Sequence, residues 1–112
     1  MGRAPRSYTS DGIYHLTTHG VDDRPIARDD VDRQALALLL RRVALAFGWA
    51  IYAACLMETH YHLILRPKRA IVGDGMRDLN GGHSRLFNAR HGRRGPVFEA
   101  RYRSTPIADE RH

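Results

Sequence analysis

The stretch Trp49-Ala50-Ile51-Tyr52-Ala53-Ala54-Cys55-Leu56-Met57-Glu58-Thr59-His60-Tyr61-His62-Leu63-Ile64-Leu65-Arg66-Pro67 decides the fold. Trp49 to Met57 is apolar throughout and reads as a buried strand, and His60 to Arg66 reads as another that ends at Pro67. Only Glu58-Thr59 joins them, and so short a link implies an antiparallel hairpin. Side chains two apart on a strand share a face, so His60 and His62 project together while Tyr61 and Leu63 face the other way.

Working outward, Ile13 to Thr18 is rich in β-branched and aromatic residues and predicts a first strand. His19 to Asp30 is a loop punctuated by Gly20 and Pro25. Asp29 or Asp30 caps a helix running to about Phe47, with Leu36, Leu39, Leu40, Val43 and Phe47 at helical spacing and Gly48 as the stop. On the other side, Asp74 to Ala89 predicts a second helix with Met76, Leu79, His83, Leu86 and Phe87 toward the core. Gly81-Gly82 lies inside it at a cost of about 1 kcal/mol per glycine, which leaves room for a break there. Gly92 to Gly95 is a basic loop, and Val97 to Ile107 predicts a last strand interrupted by Pro106. The order β-α-β-β-α-β is the split βαβ arrangement of a ferredoxin-like α+β fold, an antiparallel sheet with two helices on one face. That topology hosts many functions, so the function has to come from a site.

The 112 residues form one expected domain, 1–112, long enough to bury a core without metal or disulfides. The single cysteine, Cys55, excludes an internal disulfide framework and fits a reducing compartment. No apolar run approaches the roughly 20 residues of a membrane span, and Met1-Gly2-Arg3-Ala4-Pro5-Arg6 is not followed by the apolar core of a signal peptide. A cytoplasmic protein is the expectation. The net charge of +6 points to a polyanionic partner such as nucleic acid. Residues 1–65 carry seven basic and seven acidic side chains, whereas residues 66–103 carry ten and three, so the second stretch is the expected phosphate-facing surface.

His60-Tyr61-His62 is the sharpest local feature. Two neutral imidazoles side by side can chelate a divalent cation and leave positions open for substrate oxygens. The alternative is a pair of histidines solvated or satisfied in the core, because a full site needs three or four ligands.

Leu56-Met57-Glu58-Thr59-His60-Tyr61-His62-Leu63-Ile64-Leu65 resembles the Met-Pro-Asn-His-x-His-Leu-Leu segment of the single-tyrosine transposases of the HUH type, which include the REP-associated tyrosine transposases. The resemblance extends to Tyr14-His15-Leu16-Thr17, to Ala46-Phe47-Gly48-Trp49, to Arg85 through Arg93 and to Gly95 through Ser104, so it covers about residues 12 to 110. It implies a ferredoxin-like sheet with the histidine pair on a central strand, His60 and His62 as metal ligands, and Mg²⁺ or Mn²⁺ as the metal. It further implies a transposase, a DNA endonuclease-transferase, that binds single-stranded, hairpin-forming DNA and cuts and rejoins it through a phosphotyrosine link. Arg77, Arg85, Arg90, Arg93 and Arg94 would hold the DNA backbone, with a solvated helix face as the alternative reading. Some relatives work as two subunits, so a homodimer is within the family's repertoire.

The departures are equally specific. The family's Pro-Asn is Glu58-Thr59 here, where Glu58 reads either as an extra oxygen ligand for a hard cation or, more plainly, as a solvated hairpin residue. His19 stands where the family often has Arg. In the family a further helix carries the nucleophilic tyrosine and a third metal ligand, but this chain reaches Asp109-Glu110-Arg111-His112 at or just before that helix. The expectation is therefore a domain shortened at its C-terminus and unable to cleave. Tyr8, Tyr14, Tyr52, Tyr61 and Tyr102 read as structural aromatics, and a tyrosine with no activating metal has a pKa near 10 and is a poor nucleophile. Two other readings stay open: a nucleic-acid-binding module without chemistry, and a metal-dependent nuclease that uses water.

Overall fold

The structure, a computed structural model, describes residues 8–107. The Met1–Arg6 segment and the Asp109–His112 end lie outside the described residues. The element order is β1 (Tyr14–His19), α1 (Asp30–Phe47), β2 (Trp49–Leu56), β3 (His60–Pro67), α2 (Gly73–His91) and β4 (Arg103–Pro106), with one short 3₁₀ turn at Val21–Asp23. The four strands form one sheet in the order β2-β3-β1-β4, all pairs antiparallel. This is the ferredoxin-like arrangement that the sequence predicts.

Helix α1 begins and ends for local reasons. The Asp29 carboxylate accepts the backbone N–H of Asp32 at 3.0 Å, and Gly48 closes the helix in the left-handed conformation at φ 71°. Helix α2 runs unbroken through Gly81-Gly82, as one helix over the predicted span. Packing accounts for Gly82 and Gly75. A Cβ at Gly82 would lie 2.8 Å from Leu39 of α1, and one at Gly75 would lie 2.3 Å from the Trp49 ring, so their absence lets the helix approach its neighbours closely.

One face of the sheet carries the core. Tyr61, Leu63 and Leu65 of β3 and Tyr14 and Leu16 of β1 are buried with Leu36, Leu40 and Val43 of α1 and with Met76, Leu79 and Phe87 of α2. Both helices cover that face. Leu86, expected in the core, is 53% exposed, because the α2 stripe that meets the sheet runs through Met76, Leu79, His83 and Phe87.

Two strands depart from expectation. β2, predicted as buried, is an edge strand with Tyr52 to Cys55 exposed and a register shift between Ile51 and Ala53. An uninterrupted apolar run carries no alternation, and here it has a neighbour on one side only. The last strand is shorter than Val97–Ile107. Val97 and Phe98 turn into the core, Phe98 makes only an isolated bridge with Gly20, and regular pairing starts at Arg103.

Candidate functional site

The face of the sheet opposite the helices is built by strand alternation. On β3, His60, His62, Ile64 and Arg66 alternate with the buried residues, and on β1 His15, Thr17 and His19 share that face, Thr17 itself being buried. The register sets them side by side: His19 opposite His60, and Thr17 opposite His62. β2 adds Cys55 opposite His62, and β4 adds Arg103 opposite Thr17. The centre of the open face is thus a cluster of four imidazoles and one hydroxyl.

Its geometry is specific. The His60 and His62 rings lie 4.9 Å apart at 86°, while His19 stacks on His60 at 5.0 Å and His15 on His62 at 5.1 Å. His62 Nδ1 is 2.9 Å from His15 Nε2 and 3.1 Å from Thr17 Oγ1, and His60 Nδ1 is 3.2 Å from Thr59 Oγ1. Both Nδ1 atoms are therefore engaged within the protein, which leaves Nε2 of each ring for a ligand. Partial burial, with His60, His15 and His19 close by, holds the His62 pKa below the ordinary imidazole value, so His62 favours the neutral form in which it can donate a lone pair.

These two rings fit a divalent cation as two neutral nitrogen donors oriented by their other nitrogens. No group of three or more His, Cys, Asp or Glu among the described residues is arranged to hold one, so water, substrate or further residues would complete the shell. Glu58 is exposed at the turn, and its carbonyl accepts the N–H groups of Ile26 and Ala27. Tyr61 faces the helices as expected. It is fully buried, its hydroxyl donates to Asn80 Oδ1 at 2.5 Å, and burial pushes its pKa well above the normal phenol value.

The predicted arginines lie elsewhere. Arg77, Arg85 and Arg90 sit on α2, on the opposite side of the sheet from the histidines, and Arg93 and Arg94 follow in the Gly92–Gly95 loop. Arg77 is paired with Asp74 at 2.7 Å. Arg90 bonds both Asp29 and Asp32, at 2.7 and 2.8 Å, and Asp32 also takes His91 Nε2 at 2.8 Å. Arg93 spans Asn88 Oδ1 and the Pro96 carbonyl, while Arg85 and Arg94 are exposed. His15, Thr17 and Cys55 were missing from the sequence-derived site. The two-residue spacing of His15, Thr17 and His19 was a usable signal for β1; Cys55 needed the cross-strand register.

Comparisons with known proteins agree with this fold. The chain is similar to a REP-associated tyrosine transposase solved bound to a REP hairpin, with a TM-score of 0.71 and 16% identity over 97% of this chain. It is similar too to a protein assigned as a transposase in Deinococcus radiodurans R1, with a TM-score of 0.70 and 20% identity over 96% of this chain and 88% of that one. The chain spans 64% of the length of the REP-associated protein. No curated protein sequence matches it. These two likenesses show the ferredoxin-like fold. The family model described as IS200-like transposase matches residues 8–111, and the chain belongs to that family.

Proposed function

We propose that residues 1–112 form the DNA- and metal-binding part of a single-tyrosine transposase that acts on single-stranded, hairpin-forming DNA. One observation carries the reading: on the central strand β3, both histidines of the pair have Nδ1 engaged and Nε2 free on the open face. His60 and His62 would hold Mg²⁺ or Mn²⁺, which when bound would stabilise charge on the nonbridging oxygens of a scissile phosphate. Arg103, opposite Thr17 on β4, supplies a cation on the same face, across β1 from the pair. The family match and the fold support this assignment.

The in-line attack of such enzymes needs a nucleophile within reach of that phosphate. The tyrosines of the described residues do not offer a suitable one. Tyr61 and Tyr14 are buried on the helix side, and Tyr8 and Tyr102 bond each other at 3.0 Å. Tyr52 is exposed, but its hydroxyl accepts from Arg66 Nε at the far end of the strand from His60. The reading therefore places the nucleophilic tyrosine outside residues 1–112.

The test is incubation of these residues with a hairpin-bearing single strand and Mn²⁺, followed by native and denaturing gels. The expected result is a non-covalent complex and no covalent adduct. An adduct lost on Tyr52→Phe would show that an internal tyrosine serves, and a complex that forms equally well on duplex DNA would overturn the single-strand assignment.

A further inference from the structure

We infer that the cleft between the loop before α1 and the end of α2 is a phosphate-binding site for the DNA backbone, with Arg24 and Arg28 as its main unpaired cations. The inference rests on the nucleic-acid reading above and adds two residues outside the predicted basic stretch. The cleft has a volume of about 410 Å³ and is lined by Arg24, Pro25, Arg28, His91, Gly92 and Arg93, none of them acidic.

Arg90 is held by two carboxylates, Asp29 and Asp32, so that cluster carries no net positive charge, while Arg77 makes an exposed ion pair with Asp74. Arg24 and Arg28 are exposed. The Arg28 guanidinium lies over the Phe87 ring, 5.5 Å from its centroid, which orients it without neutralising it. Across the cleft, Arg93 is braced by Asn88 Oδ1 and the Pro96 carbonyl, so its charge is positioned but has no carboxylate on it. Asp32, the nearest buried acid, is already shared between Arg90 and His91. Three guanidinium groups thus outweigh the one carboxylate charge left over where Arg90 meets both Asp29 and Asp32, together with the partial negative charge at the end of α2.

The loop that carries Arg24 and Arg28 is held rigidly, as a built site requires. Gly20 N–H donates to the Thr59 carbonyl at 2.7 Å and Val21 N–H to the Val97 carbonyl at 2.9 Å. Ile26 N–H donates to the Glu58 carbonyl at 2.7 Å, and buried His83 Nε2 donates to the Ile26 carbonyl at 2.6 Å. Between these anchors, Asp22 and Asp23 adopt the left-handed conformation at φ 54° and 56°, and a Cβ at Gly20 would lie 2.1 Å from the Arg24 carbonyl oxygen. Two consecutive non-glycine residues at positive φ carry a strain cost, and such strain concentrates where a loop presents a functional group. Here the strained turn presents Arg24. The same anchors tie the loop to Glu58 and Thr59, which precede His60 in the chain.

The experiment measures binding of a fluorescent, mixed-sequence single-stranded oligodeoxynucleotide across a salt series, for the wild-type chain, the Arg24→Ala/Arg28→Ala variant and Arg33→Ala. Two lost phosphate contacts should weaken binding by about tenfold or more and reduce the salt slope by about 1.4, at roughly 0.7 per contact for a single strand. Arg33→Ala, which removes a cation already paired with Asp30, should change the affinity less than twofold. If the wild-type chain binds and the double variant binds equally well with the same slope, the cleft assignment is overturned while the DNA reading stands. If the wild-type chain does not bind the single strand at all, both fall. Circular dichroism of the double variant, expected to match the wild type, separates a lost contact from a lost fold.

Discussion

His15 Nε2 lies 2.9 Å from His62 Nδ1, and this cross-strand contact governs which nitrogen of His62 faces the open side of the sheet. A neutral imidazole that uses Nε2 as a ligand carries its proton on Nδ1, and that proton needs an acceptor. His15 supplies one if its own proton sits on Nδ1, and Thr17 Oγ1 at 3.1 Å supplies a second. Replacing His15 by Phe should let the free protein populate both His62 tautomers, as read from long-range proton–nitrogen correlation spectra. It should weaken Mn²⁺ binding by about tenfold, the usual scale for losing an outer-shell partner. A single unchanged tautomer would refute the role.

The glycines of α2 divide by what a methyl group would meet. At Gly75 a Cβ would be 2.3 Å from the Trp49 ring, which is itself pinned by its indole N–H to the Ile71 carbonyl. Gly75→Ala should destabilise by about 1–3 kcal/mol through overpacking. At Gly81 the nearest atom would be Arg85 Nη1 at 3.5 Å, ordinary contact with a mobile side chain, so Gly81→Ala should stabilise by about 1 kcal/mol through helix propensity. Urea denaturation of the two variants should move the midpoint in opposite directions.

Asp32 ties the start of α1 to the end of α2. Burial alone would raise its pKa. The Arg28 backbone N–H, Arg90 and His91 outweigh that and hold the carboxyl below its ordinary value. A depressed carboxyl contributes stability that is present above its unfolded pKa and is lost as pH falls through the folded one. Asp32→Asn should therefore cost about 1–3 kcal/mol at neutral pH and leave less to lose below about pH 4, measured by denaturation across that range.

His83 works in a different window. It is buried, Nε2 donates to the Ile26 carbonyl, Nδ1 has no protein partner, and burial holds its pKa below the ordinary histidine value. The unfolded chain then takes up a proton near pH 6.5 before the folded one does, so stability is full above about pH 6.5 and falls as pH drops through it. His62, shifted in the same direction, adds to this slope. His83→Phe should lose about 1 kcal/mol at neutral pH with the hydrogen bond to Ile26, yet show a flatter decline toward pH 5 than the wild type. An equally steep decline would mean that His83 is not the group being titrated.

What the sequence determined by itself is what depends on near neighbours along the chain. Helix α1 was legible from Asp29, the Leu36–Leu40–Val43 stripe and Gly48, because caps and helical periodicity act over a few residues. The shared face of His60 and His62 was legible for the same reason, since strand alternation is a property of one strand. The tertiary structure decided the rest. The exposure of β2 depends on which strands flank it, and Leu86 faces out because of where α2 meets the sheet. The His15–His62 contact joins residues 47 apart in the chain and needed the β1–β3 register. Which arginines remain free was equally hidden: Arg90 is cancelled by Asp29 and Asp32, 61 and 58 residues away, while Arg24 and Arg28 reach the end of α2 through the fold. Charge on a sequence is a sum, but the field a ligand meets depends on distances, and only the packed chain sets those.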